Sequence, residues 1–477
     1  MFWWILLVVI VVFAAVLLAR AAAFKPGAQS AAAPAPCAVD AAAAADHLAQ
    51  MVRIPTVSNA DPSRFDEAQF ERFRALLAQL YPSVFAACEP AKLDHTELLF
   101  RWRGKSSDSP AVLMAHYDVV PVEEERWAHP PFCGEVFDGE LWGRGTLDTK
   151  ITLMGVLESA ERLIKEGYVP AHDIYLAFAG DEEVNGTGAQ AAVEALRARG
   201  VQPALVVDEG GAVVSGIFPG VQKPIAVVGI GEKGLANMTL TAKSEGGHAS
   251  HPPLHSAVGK MCRAVAACEN HQFKAGLPLP VRAMFETVGP YAPFGLRVVF
   301  ANLWCFGGLL AANAGRLGAE LNAMMRTTMA FTMARGSKQA NVLPNEATAT
   351  VNLRLLNTTT VDAAAEHLRR AIGDPDVEVR VLEGMNASPY ADLDGAAWKT
   401  VAAAVGETWR QAIVSPYLMI ACSDSRHFSA ICKNVFKFSA MELSAEQRGL
   451  IHNDNERIRV GKIGETVEFF TRLIQKL

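Results

Sequence analysis

Residues 111–120, AVLMAHYDVV, contain the strand that decides the fold class of this chain. The first five residues of the stretch are apolar, and His116, Tyr117 and Asp118 follow them. An apolar run that ends in polar residues is typical of a parallel strand that is buried on both faces. The stretch therefore predicts a helix-covered sheet with polar groups at the edge where its strands end.

Helical and extended patterns alternate after this strand. Apolar residues recur at helical spacing over 151–166, and Gly167 ends the pattern. A strand is predicted over 173–179, a helix over 188–199 and another strand over 204–207. Because strands and helices alternate at this spacing, the sequence predicts an α/β fold with a mainly parallel sheet covered on both faces.

The middle of the chain follows a different pattern, which predicts a separate α+β unit inserted into the first. Its predicted elements are strands over 225–242, 347–355 and 377–382 and helices over 256–267 and 361–372. The chain then returns to the first pattern, with a helix over 396–405, a strand over 434–441 and a final helix over 463–476.

The N-terminal segment 1–19 carries no charged side chain, and it is long enough to span a bilayer. Trp3 and Trp4 suit one membrane interface, and Arg20 and Lys25 follow the other end. The sequence favours an uncleaved anchor, although a cleaved signal peptide is an alternative because small residues follow at 21–23. Residues 20–40, rich in alanine and proline, are predicted to be a linker.

The net charge and the spacing of the cysteines exclude several kinds of partner and site. The net charge of −6 provides no basic field, so a nucleic-acid partner is not expected. Eight cysteines are scattered without a CxxC pair, which excludes a disulfide scaffold and a zinc knuckle but leaves one or two disulfide bonds open.

Acidic and histidine residues follow the predicted strands. They are His116 and Asp118, Asp148 in the loop before the 151–166 helix, Glu182 and Glu183, and Asp208. Each has an ordinary explanation alone, such as a helix N-cap for Asp148 or a turn for Asp208. Two bare carboxylates ~4 Å apart repel by about 4 kcal/mol at an effective dielectric constant near 20. The convergence of these acidic residues on one sheet edge therefore predicts a pair of divalent cations. A ligand set without thiolates suits zinc, cobalt or manganese.

Several segments resemble the M20 family of metallopeptidases and aminoacylases, and in particular its carboxypeptidase S-like branch. The matching segments are MAHYDVVP (114–121), LWGRGTLD (141–148), DEE (181–183), GGHASHPP (246–253), NLW (302–304), NVLP (341–344), SDSRHF (423–428) and IHN (451–453). The likeness covers roughly residues 45–477 in order.

This resemblance implies a zinc-exopeptidase-like catalytic domain with an inserted α+β lid and dimerisation domain. The domains are then a transmembrane anchor (1–19), a linker (20–40), a catalytic domain in two parts (41–229 and 386–477) and the lid (230–385). A homodimer through the lid is expected.

The resemblance also assigns roles to the acidic and histidine residues. One of two Zn²⁺ ions (Co²⁺ or Mn²⁺ being alternatives) would bind His116 and Asp208, and the other Glu183 and His452. Asp148 would bind both ions, Asp118 would orient His116, and Glu182 would be the general base. The family often has an acidic residue or Met after the shared Asp, where this chain has Thr149.

Further residues are expected around the substrate. By resemblance, His248 would stabilise the oxyanion, often from a partner subunit, and Asn341 and Arg354 would bind a substrate carboxylate. Arg426 and His427 are further pocket candidates. A surface histidine and a strand-edge ion pair are the ordinary alternatives for His248 and Arg354.

The expected function is hydrolysis of the amide bond of N-acyl amino acids or of short peptides with a free carboxylate. A dipeptidase, a deacetylase or desuccinylase of the same family, or an inactive membrane-tethered binding protein are the alternatives. Arg20 and Lys25 favour a cytoplasmic body by the positive-inside rule, whereas the resemblance favours an extracytoplasmic one.

Overall fold

The strand that contains residues 111–116 lies inside the largest sheet of the protein. The structure is a computed structural model that describes residues 1–27, 35, 37–93 and 96–477. Residues 28–34 and 36, which belong to the predicted linker, lie outside the described residues.

The described helices are numbered in chain order. They are α1 (Phe2–Ala23), α2 (Ala41–Val52), α3 (Glu67–Leu80), α4 (Pro82–Ala87), α5 (Lys150–Lys165), α6 (Gly188–Ala198), α7 (Ala257–Asn270), α8 (Leu279–Val288), α9 (Phe294–Phe300), α10 (Leu303–Leu317), α11 (Ala319–Met325), α12 (Val361–Ile372), α13 (Ala396–Thr408), α14 (Ser425–Phe428), α15 (Ala445–Arg448) and α16 (Val460–Lys476).

The described strands are numbered in the same way. They are β1 (Glu89–Lys92), β2 (Leu98–Trp102), β3 (Ser106–His116), β4 (Glu135–Phe137), β5 (Glu140–Trp142), β6 (His172–Ala179), β7 (Leu205–Val214), β8 (Ile225–Glu232), β9 (Gly234–Lys243), β10 (Gly247–His248), β11 (Thr328–Arg335), β12 (Val342–Leu343), β13 (Glu346–Leu355), β14 (Val377–Met385), β15 (Ile413–Met419), β16 (Val435–Leu443) and β17 (Arg457–Arg459).

Eight strands form the central sheet in the order β1-β2-β6-β3-β7-β16-β8-β15. Strand β3 pairs in parallel with β6 and β7, and β7 with β16, whereas β1 and β2 are antiparallel additions at one side. The predicted α/β class with a mainly parallel sheet is confirmed. Helix α5 packs on α16, and its buried residues join the core of this sheet.

The register of β3 and β6 brings two predicted site segments together. His116 is the last residue of β3, and it pairs with Ala179, the last residue of β6. The segments that continue from these strands, Tyr117–Asp118 and 180–183, therefore leave the sheet at the same edge.

A second, antiparallel sheet has the order β11-β13-β9-β14 and forms a separate core with α7 and α12. The single strand predicted over 225–242 is wrong, because β8 ends at Glu232 and β9 begins at Gly234. Every residue of β8 is buried in the central sheet, whereas buried residues alternate along β9, which is covered on one face.

The helices α8–α11 lie within the range 230–385 that was predicted as the lid, but they pack with the larger core. Val281, Phe285, Phe300 and Met325 belong to that core, and α8 packs on β15 of the central sheet. The small sheet with α7 and α12 is therefore the part of this range that has a core of its own.

The N-terminal helix extends to Ala23, beyond the predicted anchor boundary at residue 19. The helix is long and apolar enough to cross a membrane. A signal sequence near the N-terminus can have the same length and composition.

Candidate metal centre

The centre begins with His116 at the end of β3. Its Nδ1 donates a hydrogen bond to the backbone carbonyl of Asp118 at 3.0 Å, with the Asp118 carboxylate 3.3 Å away. This contact occupies Nδ1 and leaves Nε2 as the ring nitrogen that faces the centre. Nε2 faces Asp148 Oδ1 at 3.0 Å and Glu209 Oε1 at 3.5 Å.

Asp148 lies between two histidines. Its Oδ1 is 3.0 Å from His116 Nε2, and its Oδ2 is 2.9 Å from His452 Nε2. Burial would raise the pKa of Asp148, but the hydrogen bonds of the two imidazoles outweigh burial and hold that pKa well below its ordinary range. The Asp148–Thr149 peptide bond is cis.

Glu183 and His452 form the other side of the centre. His452 Nε2 lies 3.1 Å from Glu183 Oε2, and Glu183 Oε1 is buried without a hydrogen-bond partner among the described residues. Hydrogen bonds to Asp148 and Glu183 raise the pKa of His452 to about 10. The side chain of His452 is 53% exposed, so this side of the centre is open to solvent.

The prediction that Asp208 lies beside His116 requires a correction, because Glu209 occupies that place. The Asp208 carboxylate instead accepts the backbone N–H of Ser425 at 3.0 Å, at the start of α14. Strand β7 does not end at residue 207 as predicted but continues to Val214.

An irregularity in β7 explains the difference. Asp208 pairs with Lys437, but the next pair joins Gly211 to Phe438, so Glu209 and Gly210 form a bulge. Gly210 has φ +139°, and a Cβ there would lie 2.7 Å from the Cβ of Lys437. The bulge therefore needs glycine, and it redirects the Glu209 side chain to the centre.

Glu182 lies on the same side of the centre as Glu209. One side-chain ligand atom each from His116, Glu182 and Glu209 lie within 4.8 Å of one another. Burial is the main reason that the pKa of Glu182 lies well above its ordinary value, and the carboxylates of Glu209 and Asp424 add to the shift. Burial likewise raises the pKa of Glu209 to about 8.

The Asp118 carboxylate holds the turn that carries the two glutamates. It accepts the backbone N–H of Glu182 at 3.2 Å and that of Glu183 at 3.1 Å. Asp118 is fully buried, so one residue positions both His116 and this turn.

The spacing of the donors fits divalent metal ions such as zinc. His116, Asp148 and Glu183 form a second group within 4.8 Å, which shares His116 with the first. Ligand atoms on one zinc ion lie about 3–3.5 Å apart, because each is ~2 Å from the metal. The imidazole–carboxylate distances of 2.9–3.5 Å match that spacing. The unpartnered Glu183 oxygen is the kind of atom that a cation would satisfy.

A residue beside the centre that the sequence did not indicate is Glu456. It is fully buried, and its Oε1 accepts the backbone N–H groups of Gly145, Leu147 and Asp148 at 2.6–3.2 Å. Its Oε2 accepts from Arg144 Nη1 at 2.6 Å. Because Glu456 follows His452 by four residues, it connects the loop of Asp148 with the loop of His452. No sequence pattern distinguishes this glutamate from an exposed loop residue.

His248 lies on β10 of the small two-stranded sheet, and Asn341 directly precedes its other strand, β12. His248 pairs with Val342, and the Asn341 carbonyl accepts the N–H of Ala249 at 3.1 Å. Both residues are exposed. The described hydrogen bonds do not connect either side chain with the carboxylates around His116.

Arg354 and Arg426 both lie near the thiol of Cys422. Arg354 donates to Cys422 Sγ at 3.2 Å. Burial raises the pKa of that thiol, and the two guanidinium groups partly oppose the shift. Arg426 also donates to Asn185, which ends the turn of Glu182 and Glu183. Burial and the charge of Arg426 lower the pKa of the adjacent His427 to about 4.

Comparison with known proteins agrees with this geometry. The family model for peptidase family M20/M25/M40 matches residues 112–476. The chain belongs to the M20 peptidase family. Like other members of that family, it is a metal-dependent hydrolase.

Its curated relatives match most of the chain. It is 36% identical to the N-fatty-acyl-amino acid synthase/hydrolase PM20D1 of Xenopus tropicalis over 436 residues, 89% of this chain and 84% of that protein. It is 32% identical to the probable carboxypeptidase S-like 2 of Dictyostelium discoideum, over 90% of this chain and 84% of that protein.

Solved structures show the same fold. The M20 family metallo-carboxypeptidase Sso-CP2 of Sulfolobus solfataricus has a TM-score of 0.67 at 14% identity, covering 91% of this chain and 98% of that one. A dinuclear metal-binding M20 peptidase of Bacillus subtilis has a TM-score of 0.56 at 12% identity, covering 91% and 98%.

Proposed function

We propose that this M20 hydrolase uses two zinc ions to cleave the amide bond of N-acyl amino acids or of short peptides with a free carboxylate. The observation that carries the proposal is the position of Asp148 between His116 and His452, with one carboxylate oxygen 2.9–3.0 Å from each ring. A carboxylate shared in this way is suited to two cations at once.

In this proposal His116 and Glu209 hold one ion, Glu183 and His452 hold the other, and Asp148 contacts both. The bound ions would polarise the scissile carbonyl and acidify the attacking water. Asp118 keeps His116 and the Glu182–Glu183 turn in place through its hydrogen bonds.

Glu182 is proposed as the general base. Burial and neighbouring carboxylates raise the pKa of Glu182, which makes it a stronger proton acceptor than an exposed glutamate. Its carboxylate would accept a proton from water and deliver it to the leaving nitrogen. Glu182→Gln should abolish turnover and leave metal content unchanged, whereas Glu183→Gln should lower metal content. Retained turnover in Glu182→Gln would assign the base elsewhere.

Arg354 and Arg426 are proposed to bind the substrate carboxylate. Both guanidinium groups lie near Cys422, and Arg426 also contacts Asn185 at the end of the Glu182–Glu183 turn. Asn341 and His427 would line the same pocket. His248 would reach the oxyanion from the lid of a partner subunit in a homodimer, which its exposed position on β10 supports.

An N-acyl amino acid is the favoured substrate class, because a relative at 36% identity is named an N-fatty-acyl-amino acid synthase/hydrolase. A dipeptidase is the second candidate, because the fold neighbours include human carnosine dipeptidase 1. Initial rates on matched N-acyl amino acids and dipeptides should favour the acyl substrates. Chelation with EDTA should remove activity, and zinc or cobalt should restore it. Full activity in chelated, metal-free protein would refute the proposed centre.

Helix α1 is proposed as an uncleaved single-pass anchor, with the catalytic body on the extracytoplasmic side. Its length and mean hydropathy support a span. An intact N-terminus in the mass spectrum of the membrane fraction should distinguish an anchor from a signal peptide. A reporter at the C-terminus should show on which side the body lies.

A further inference from the structure

Helix α10 exposes its apolar face. The side chains of Trp304, Leu309 and Leu317 are 57–62% exposed, whereas the buried stripe of the helix consists of small residues, Gly307, Ala311 and Ala314. A surface helix of a water-soluble domain normally has the opposite arrangement, with its large apolar residues inward. The outward face of α10 is therefore suited to an apolar neighbour.

A long stretch of this pair carries no charge. Arg297 lies in α9 and Arg316 near the end of α10, and between them, from residue 298 to residue 315, the chain has no Asp, Glu, Lys or Arg. Helices α9 and α10 meet at an angle of 98°. Together they are long and apolar enough to form a broken membrane span or a re-entrant segment.

The bent pair packs against the proposed membrane anchor. The ring of Trp304 meets that of Phe13 edge-on, with centroids 6.0 Å apart. The Asn302 side chain donates to the carbonyl of Leu17 at 3.1 Å, and Arg20 donates to the carbonyl of Ala301 at 3.1 Å.

These contacts satisfy the polar groups at the bend. A helix break in hydrocarbon leaves backbone carbonyls without partners, unless the protein supplies them. Here the anchor supplies the donor for Ala301, and Asn302 bonds to the carbonyls of Leu17 and Val298. The bend can therefore lie in lipid without unpaired groups at these two residues.

The positions of these contacts along α1 indicate how deep Trp304 would lie in the bilayer. Phe13 and Arg20 are about 10 Å apart along a helix that rises 1.5 Å per residue. If α1 crosses a hydrocarbon core of about 30 Å, Trp304 lies well inside the leaflet nearest the body. Ala21, directly after Arg20, is fully buried and Phe24 packs against the larger core, so this end of α1 lies at the protein body.

We propose that the α9–α10 pair dips into the leaflet nearest the body and that the acyl chains of a phospholipid bilayer cover the exposed face of α10. The proposal rests on the proposed anchoring by α1. In this proposal the catalytic body is docked on the membrane in one orientation.

Two native cysteines provide the test. Cys305 lies on the exposed face of α10, and Cys262 is exposed on α7 of the small sheet unit. The full chain would be placed in phosphatidylcholine/phosphatidylglycerol nanodiscs and labelled with an environment-sensitive thiol dye. Cys262→Ser leaves the dye on Cys305, Cys305→Ser leaves it on Cys262, and the double variant measures the background from the other cysteines.

The dye on Cys305 should emit at shorter wavelength and be quenched several-fold more by lipid-borne nitroxide than the dye on Cys262. Iodide in the water should show the reverse order. Equal iodide quenching at both positions would overturn the proposal, because the face would then lie in water. Protection of the dye on Cys305 from both quenchers, together with a Cys305–Cys305 cross-link in unlabelled protein, would also overturn the proposal. A second copy of the chain would then cover the face of α10.

Failure of the anchor is recognised separately. If the chain does not co-purify with nanodiscs, or if its N-terminus is missing in the mass spectrum, the anchor and the docked pair are both refuted. If the intact chain is in the nanodisc and Cys305 is in water, the anchor stands and the docked pair is refuted.

Discussion

The Asp118 carboxylate accepts the backbone N–H of Glu182 at 3.2 Å. The same residue accepts the Nδ1 proton of His116 on its backbone carbonyl. Asp118 therefore sets the distance between the proposed base and the first proposed ligand. Its role is positional, because the adjacent groups perform the chemistry.

Asp118→Asn should lower zinc affinity and kcat by about 10–100-fold, since the loss of a group that orients a ligand has effects of that size. Zinc titration and initial rates measure the two effects. Asp173→Asn is the control, because Asp173 is also buried at the central sheet but pairs with Arg101. The control should lose stability and keep zinc affinity. Equal zinc affinity in Asp118→Asn and wild type would contradict the positioning role.

Glu209→Gln and Asp208→Asn form a matched pair that tests Glu209 as the proposed ligand in place of Asp208. Glu209→Gln should lower the zinc content per chain, because Glu209 lies beside His116. Asp208→Asn should keep the zinc content and raise KM, because Asp208 holds the start of α14, which carries Arg426 and His427. Metal analysis with steady-state kinetics distinguishes them. The opposite pattern would restore Asp208 as the ligand.

Glu456→Gln should destabilise the protein by about 3–5 kcal/mol, because it leaves the buried Arg144 without its ion-pair partner. It should also weaken zinc binding, since the loop of Asp148 loses a charged acceptor. Glu140→Gln is the control, because Glu140 forms a partly exposed ion pair with Arg457. This variant should lower the free energy of unfolding by about 1 kcal/mol or less. Denaturant unfolding and zinc titration measure both variants. A normal zinc affinity in Glu456→Gln would limit this residue to a structural role.

The metal-free protein should lose stability as the pH rises. Asp148 and Glu183 raise the pKa of His452 from 6.5 to about 10 in the folded state. A raised pKa means that the protonated imidazole stabilises the fold, fully below pH 6.5 and progressively less as the pH rises through 10. The Tm of EDTA-treated wild type should therefore fall more steeply across this range than the Tm of His452→Asn. Parallel curves for the two proteins would contradict the assigned contacts.

The sequence predicted the central sheet and the position of most site residues because both depend on local pattern. The apolar run before His116 indicates a buried strand, and the polar residues after it indicate the sheet edge. Parallel strands that end at one level then bring His116 and the Glu182–Glu183 turn together, as the register of β3 and β6 does.

The remaining features depend on tertiary structure. Asp208 and Glu209 are adjacent, and a bulge against β16 decides which of them reaches the centre. Glu456 is identified by its contacts with a loop that precedes it by about 310 residues. The break between β8 and β9 separates two strands of apolar character that belong to different sheets.

Anomalous diffraction at the zinc absorption edge, from crystals of the zinc-loaded protein, tests the central claim most directly. Two peaks about 3.5–4 Å apart should lie on either side of the Asp148 carboxylate, one beside His116 and Glu209 and the other beside Glu183 and His452. A single peak, or peaks that Asp148 does not contact, would contradict the two-ion centre.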